Sequence, residues 1–185
     1  MTTIGTTCSR KDQGTLARAL AILKKQKRDD LHCYMVGLRE SLAYAGEIKR
    51  ISQENRLQRV VTLVPETDDV YPYFRASDVF VSCSHVEAFS RTILEAEAFG
   101  LPILTTPCCG INEQVRDGMN ALLFDMSDAA GLARLLAALL DDEEGRRQLA
   151  WNSRKVFECL LTYDEMLERY ERLILGAYFR GPLPS

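Results

Sequence analysis

The chain has 185 residues, 46 % apolar and 26 % charged, which is a globular composition and excludes a disordered segment. Its 23 Lys and Arg against 26 Asp and Glu leave a net charge of −3, against the basic excess of a nucleic-acid-coating protein. The longest unbroken apolar run, Leu135 to Leu140, is far short of the ~20 residues a membrane helix needs, so no membrane contact is expected.

Met1-Thr-Thr-Ile carries neither the charge nor the apolar stretch of a secretory leader, and a cytoplasmic location is expected. The six cysteines contain no C-x-x-C pair and are accompanied by two histidines, so reduced thiols and no metal site are expected.

In chain order, Thr2 to Thr7 reads as a strand. Gln13 to Lys27 places Leu16, Ala19, Leu20 and Leu23 at helical spacing. Leu31 to Gly37 is an almost wholly apolar strand, of the kind buried on both faces. A second helix carries Tyr44, Ile48 and Ile51, and a third strand, Arg59 to Val64, stops at Pro65. A short helix from Asp69 to Arg75 is expected to be capped by Thr67 or Asp68. The fourth strand is Asp78 to Ser82.

Ser90 reads as the cap of a helix that ends near Phe99 at Gly100. Pro102 to Thr106 and Asn120 to Phe124 complete six strands. The remainder is helical: Leu132, Leu135, Leu136 and Leu139 share a face, and Thr162 with Glu165 forms a capping box. A long apolar stripe follows, from Tyr163 through Met166, Leu167, Tyr170, Leu173 and Ile174 to Ala177. Right-handed crossovers turn this alternation into an α/β fold, a doubly wound, mainly parallel six-stranded sheet with C-terminal helices.

Ligands of open α/β sheets bind beyond the carboxyl ends of the strands. There the chain places Thr6 to Lys11, Gly37 to Arg39, Pro65 to Asp68, Ser82 to Thr92 and Thr106 to Glu113. A helix starting near Ser90 offers free N–H groups and a positive dipole end to an anion, and Arg10 and Lys11 share its rim. These features suit a phosphate or diphosphate; alone, Arg10-Lys11 also reads as a solvated pair at a helix start. Neither G-x-G-x-x-G nor a Walker A sequence follows the first strand. Glu87 lies before the helix and Glu95 roughly 7 Å along its axis. The two carboxylates suit hydroxyl groups at the two ends of a diphosphate, or are surface decoration.

The segment Ser84-His-Val-Glu87-Ala-Phe-Ser-Arg-Thr-Ile-Leu-Glu95-Ala-Glu-Ala-Phe-Gly100-Leu-Pro102-Ile resembles the S-x-x-E-G-F-G-x-x-x-x-E-A-x-A-x-G-x-P-V region of family 4 (group 1) retaining glycosyltransferases of the GT-B fold. Ile4-Gly5, Lys11, Gly37 and Tyr73 to Val81 upstream, and Gly110-Ile-Asn-Glu113 to Phe124 downstream, extend the resemblance in order along nearly the whole chain.

The resemblance implies a Rossmann-like donor-binding domain over 1–178, a tail over 179–185, and an N-terminal acceptor domain absent from this chain. Such enzymes take a nucleotide-diphosphate sugar as substrate and need no further cofactor. Carried over by position, Lys11 and Glu87 are the catalytic pair. Lys11 neutralises the leaving diphosphate, and Glu87 holds the sugar hydroxyls with the amides near Phe89 and Ser90. The amides near Thr92 and Ile93 meet the phosphates, Glu95 takes the ribose, and the loop from Val64 to Thr67 lies against the base. Thr7, Arg10, Gly37 and Gly110 complete the donor set.

Three departures stand out. Thr6 occupies a position often held by Arg, unless Arg10 substitutes for it. Asp12 replaces a Gly, near the diphosphate or capping a helix. Ala88 and Cys109 also replace glycines. The fragment alone is expected to bind nucleotide without transferring sugar. A non-catalytic nucleotide-sugar-binding module supporting a partner enzyme is the alternative, and a GT-B epimerase a third reading.

Overall fold

The computed structural model describes residues 1–28, 30–39 and 43–179. Strand β1 (Thr2–Ile4) leads to α1 (Gln13–Lys25), β2 (Cys33–Leu38) and α2 (Ala43–Glu54). A 3₁₀ turn (Leu57–Arg59) precedes β3 (Val61–Pro65), followed by α3 (Tyr71–Arg75), β4 (Phe80–Ser82) and α4 (Arg91–Ala98). After β5 (Ile103–Thr105), α5 (Ile111–Gln114) and β6 (Ala121–Leu123) come α6 (Ala129–Asp141), α7 (Glu143–Glu158) and α8 (Tyr163–Phe179). The strands form one six-stranded sheet in the order β3-β2-β1-β4-β5-β6, and every pairing is parallel. The doubly wound sheet expected from the alternation is therefore present, wholly parallel.

Strand periodicity divides the core. Met35, Val79, Val81 and Leu104 pack with Leu16 and Leu20 of α1, Ile48 of α2 and Leu132 and Leu136 of α6. Their strand neighbours Val36, Phe80 and Ile103 point the other way and pack with Phe74 of α3 and Ile93 of α4. Each such fully buried side chain contributes roughly 1.5–3 kcal/mol of transfer free energy, so the two layers hold the sheet rigid beneath its loops.

Several boundaries shift for local reasons. β1 stops at Ile4 rather than Thr7, because the chain turns away at Gly5 (φ +148°). β2 starts at Cys33 rather than Leu31 and runs through Gly37, whose φ of +106° breaks its register against β3. Arg59 belongs to the 3₁₀ turn, and β3 retains Pro65, which an edge strand tolerates. Helix α3 begins at Tyr71 without a side-chain cap from Thr67 or Asp68. Instead the Tyr71 amide donates to Asp69 Oδ1 (3.2 Å), and the Asp69 amide to Thr67 Oγ1 (3.2 Å).

The Thr162–Glu165 capping box forms in both directions: the Thr162 amide donates to Glu165 Oε2 (2.8 Å) and the Glu165 amide to Thr162 Oγ1 (3.3 Å). From residue 180 the expected tail lies outside the described residues, as does the side chain of Ala177. Among the described residues no helix is long and apolar enough to cross a membrane.

Candidate functional site

The strand order reverses between β1 and β4, each half of the sheet winding outward from that point. Beyond the carboxyl ends of the strands at that point, where open α/β sheets have their ligand crevice, stand the loops that follow β1 and β4. The first loop carries Arg10 and Lys11, and the second carries His85 and Glu87. The two are joined through their backbones, the His85 amide donating to the Arg10 carbonyl (2.8 Å).

Lys11 Nζ bonds Glu87 Oε2, the two side chains being only 16 % and 15 % exposed. Arg10 Nη1 lies 3.6 Å from the same oxygen and donates to the Val86 carbonyl (3.1 Å). Two cations thus converge on one carboxylate. An arriving anion would meet both cations within one small area.

Two glycines set how closely the loops approach. A Cβ on Gly37 would stand 2.4 Å from the Gly5 carbonyl oxygen, and the Gly37 carbonyl accepts from both the amide (3.0 Å) and Oγ1 (3.1 Å) of Thr7. A Cβ on Gly110 would stand 1.4 Å from the Ala88 carbonyl oxygen, and the Gly110 amide donates to the Glu87 carbonyl (3.0 Å). Ala88, one of the replaced glycines, lies outside the left-handed region, so its methyl group carries no such strain. Cys109 does not escape it, with φ +39°.

Helix α4 begins as expected. Ser90 is its N-cap, accepting from the Ile93 amide (3.4 Å). Ser90 is clamped in turn by Gln114, whose Oε1 accepts from the Ser90 amide (2.7 Å) and whose Nε2 donates to the Ser90 carbonyl (3.0 Å). The Ser90 and Ile93 amides are therefore engaged within the protein. Among the described residues the Arg91 and Thr92 amides have no protein acceptor. These are the groups an N-terminal helix turn offers to an anion. One turn further in, burial raises the carboxyl of Glu95 above its ordinary value, opposed by Arg91 3.9 Å away.

At the ends of β1, β2 and β3 lies a cleft of ≈ 380 Å³, lined by Gly5, Thr6, Gly37, Glu66, Thr67 and Val70 among others. Arg39 Nε and Nη2 donate to Glu66 Oε2 (3.1 and 2.9 Å), and Thr6 Oγ1 donates to Glu66 Oε1 (3.1 Å). Thr6, standing where an arginine was expected, thus turns its hydroxyl to the cleft wall.

Of the residues singled out in the sequence, the structure brings Arg10, Lys11 and Glu87 together, bonds Thr7 to Gly37, and lines one cleft with Gly37 and Thr67. The sequence sets Arg39 and Glu66 on the rim but signals neither their bond nor the Gln114 clamp, because no local spacing marks a contact between loops. Nor does it signal the role of Gln13, whose Nε2 donates to the Gly5 and Thr6 carbonyls (both 3.2 Å) while its buried Oε1 has no partner.

Asp12, His85 and Ser127 invite comparison with a hydrolytic triad, but the geometry excludes it. His85 Nε2 meets both Asp12 Oδ2 (3.0 Å) and Ser127 Oγ (3.2 Å), whereas a relay needs one ring nitrogen for each.

A model of the glycosyl transferases group 1 family matches residues 1–156. The lipopolysaccharide core biosynthesis glycosyltransferase LpsE of Rhizobium meliloti is 33 % identical over 107 residues, 58 % of this chain and 32 % of that protein. The D-inositol 3-phosphate glycosyltransferase of an Arthrobacter species is 32 % identical over 139 residues, 74 % of this chain and 33 % of that one.

Among solved structures, sucrose-phosphate synthase of Thermosynechococcus elongatus superposes with a TM-score of 0.82 at 26 % identity, covering 97 % of this chain and 46 % of that one. Anabaena HepE in complex with UDP-glucose gives 0.85 at 20 % identity, covering 95 % and 48 %. The chain spans about a third of the length of these two curated relatives and just under half of these two structures. The family match runs from β1 into α7 and takes in every loop of the crevice, so this chain belongs to the glycosyl transferases group 1 family.

Proposed function

We propose that this chain is the donor-binding half of a retaining glycosyltransferase, which moves a sugar from a nucleotide diphosphate to an acceptor held by a separate N-terminal domain. The Lys11–Glu87 pair beside the α4 N-terminus is the observation that carries this reading. It sets a cation, unpaired amides and a hydroxyl acceptor around one position at the switch point of the sheet.

Negative charge grows on the leaving diphosphate as the glycosidic bond breaks. In the proposed mechanism Lys11, with Arg10 beside it, neutralises that charge, and the Arg91 and Thr92 amides add fixed dipoles. Removing one such group costs ~10²–10³ in rate. Glu87, released from Lys11, accepts from the sugar hydroxyls. Glu95 serves the ribose, and the cleft between Gly37 and Thr67 receives the base. Relatives named for lipopolysaccharide core and capsular polysaccharide biosynthesis support a glycoconjugate acceptor, and the reaction would proceed in the cytoplasm. The isolated chain would bind donor and transfer nothing.

Thermal unfolding of the chain against UDP, GDP, ADP and their sugar conjugates tests the reading. Ligand at ~100 times its Kd adds ~2.7 kcal/mol. One nucleotide should stabilise the chain, Glu95→Ala should abolish the shift, and Lys11→Ala should cut it by about half or more. If no nucleotide stabilises the chain, the donor-site reading fails. If UDP-sugar binds but Lys11→Ala leaves transfer by a full two-domain protein intact, a non-catalytic binding module becomes the better description; the Thr6 and Asp12 departures are what favour it.

A further inference from the structure

Asp12 follows Lys11 directly and precedes α1, with φ 42° and ψ 46°. That left-handed conformation is routine for glycine and is also visited by aspartate, so its backbone alone would suit a glycine. Its side chain was expected either to face the diphosphate or to cap α1. It does not cap α1, because no amide of the helix donates to the carboxylate.

Instead the carboxylate is buried, the residue being only 5 % exposed, and its two oxygens are shared among four polar neighbours and one cation. Oδ2 accepts from Thr15 Oγ1 (2.6 Å), meets His85 Nε2 (3.0 Å) and accepts from Ser127 Oγ (3.3 Å). Oδ1 accepts from Tyr44 OH (2.7 Å) and lies 3.5 Å from Arg18 Nη2. A buried carboxylate without such partners would be expelled or protonated. Here burial alone would raise its pKa, yet the Thr15 and Tyr44 bonds and the charge and bond of His85 outweigh that, and the net shift is downward.

The partners sit on α1, on α2 and on the loops after β4 and β6. One side chain therefore ties four segments together next to Lys11 and the Glu87 loop. His85 stands two residues before Glu87, and its own amide bonds the Arg10 carbonyl. The Asp12–His85 bond and that backbone bond thus fasten both neighbours of Lys11 to His85, two residues before Glu87.

We infer that Asp12 is a positioning residue for the donor site: through His85 it locks the Lys11 and Glu87 loops at their working separation. The inference rests on the donor-site reading above. A diphosphate that draws Lys11 off Glu87 removes the contact that joins the two loops at the crevice surface. The Asp12 links beneath it remain, so the loops do not spread and the cation meets its anion already placed. Binding to a preorganised site loses less to ordering.

The test is a thermodynamic cycle on the chain, with UDP, GDP and ADP as probes and calorimetric titration as the readout. Asp12→Gly suits the backbone and deletes only the carboxylate. It should weaken binding about tenfold, and Asp12→Asn, whose one amide oxygen can take the Oδ2 place and keep an acceptor for Thr15 and His85, should restore most of it. In a Lys11→Ala background Asp12→Gly should weaken binding little further, because its effect runs through Lys11; a merely structural role would leave the two effects additive. Should Asp12→Gly fail to fold, His85→Ala cuts the same link from a 37 %-exposed loop side chain and decides by the same cycle.

Binding by Asp12→Gly within twofold of the parent, or full additivity with Lys11→Ala, overturns the inference while the donor reading stands. A parent chain that takes up none of the three nucleotides overturns the donor reading, and this inference with it.

Discussion

Lys11 and Glu87, 76 residues apart in sequence, hold one another across the switch point of the sheet, and the Arg10 guanidinium reaches the same carboxylate oxygen. On the proposed donor-site reading, Glu87 thus occupies the cation that would meet the diphosphate, and the arriving anion would have to displace a carboxylate.

Removing that competitor should favour the bare nucleotide. Glu87→Gln is expected to tighten UDP roughly three- to tenfold, since a neutral amide surrenders Lys11 at less cost; tenfold corresponds to ~1.4 kcal/mol. The same change should remove any preference for UDP-sugar over UDP. Lys11→Ala should weaken both by about tenfold or more. Titration calorimetry of the three proteins checks this, and a Glu87→Gln variant that loses UDP as severely as Lys11→Ala would contradict it.

Glu97 gives the fold a pH dependence. It lies on α4, 1 % exposed, bonded by Asn120 Nδ2 (3.0 Å), and burial pushes its carboxyl from 4.5 up to about 7 against the lowering effect of Asn120. A carboxyl with a raised folded pKa binds its proton more tightly when folded. Its contribution to stability is complete below about 4.5 and is lost as pH rises through about 7.

The full loss is about 3 kcal/mol at 1.36 kcal/mol per pKa unit. Glu95 is raised too and acts with the same sign, whereas Asp12 is lowered from 3.8, so its contribution is lost only at more acid pH. Urea unfolding should therefore show the parent less stable at pH 8 than at pH 5. Glu97→Gln, which keeps an acceptor for Asn120, should remove most of that slope and be the more stable protein at pH 8.

Gly37 and Cys109 make opposite predictions from the same backbone rule. Gly37→Ala adds a Cβ at φ +106° that would stand 2.4 Å from a backbone oxygen, so β1 and β2 must part where the cleft begins. A loss of about 3 kcal/mol or more is expected, from strain and disruption together. Cys109→Gly relieves an exposed residue at φ +39° and should change stability by no more than ~1 kcal/mol in either direction, because glycine also widens the unfolded ensemble. Urea midpoints distinguish the two cases.

The sheet was legible because its strands are short apolar runs between helices of clear 3.6-residue period. Met35 and Val36 needed only the period of two to be sent to opposite faces. The Ser90 cap and the Thr162–Glu165 box were legible because they are local hydrogen bonds between residues three apart. What sequence could not reach was contact between loops. Nothing near Asp12 signals Tyr44 or His85, and nothing near Ser90 signals Gln114. Glycine replacements were visible as departures, but the sign of their cost was not. Cys109 is left-handed, Ala88 is not, and Asp12 is left-handed with its carboxylate fully engaged.

The stripe on α8 was read from sequence as an apolar face, and in the structure that face lies open. Tyr163, Tyr170, Leu173 and Ile174 are all more than half exposed, Leu173 and Ile174 at 69 % and 66 %. Side chains this exposed bury little apolar surface, so Leu173→Glu or Ile174→Glu should move the unfolding free energy of this chain by no more than ~0.5 kcal/mol.

If the stripe faces the proposed N-terminal domain, the outcome differs in a fusion carrying the N-terminal α/β domain of a group 1 relative. Covering each side chain there adds up to ~1.5–3 kcal/mol, and a charge at the same position forfeits it. Unfolding of the chain and of the fusion, each with and without Leu173→Glu, separates the cases. An equal, small effect in both would mean that α8 does not meet that domain and that the acceptor half, if it docks, uses another face.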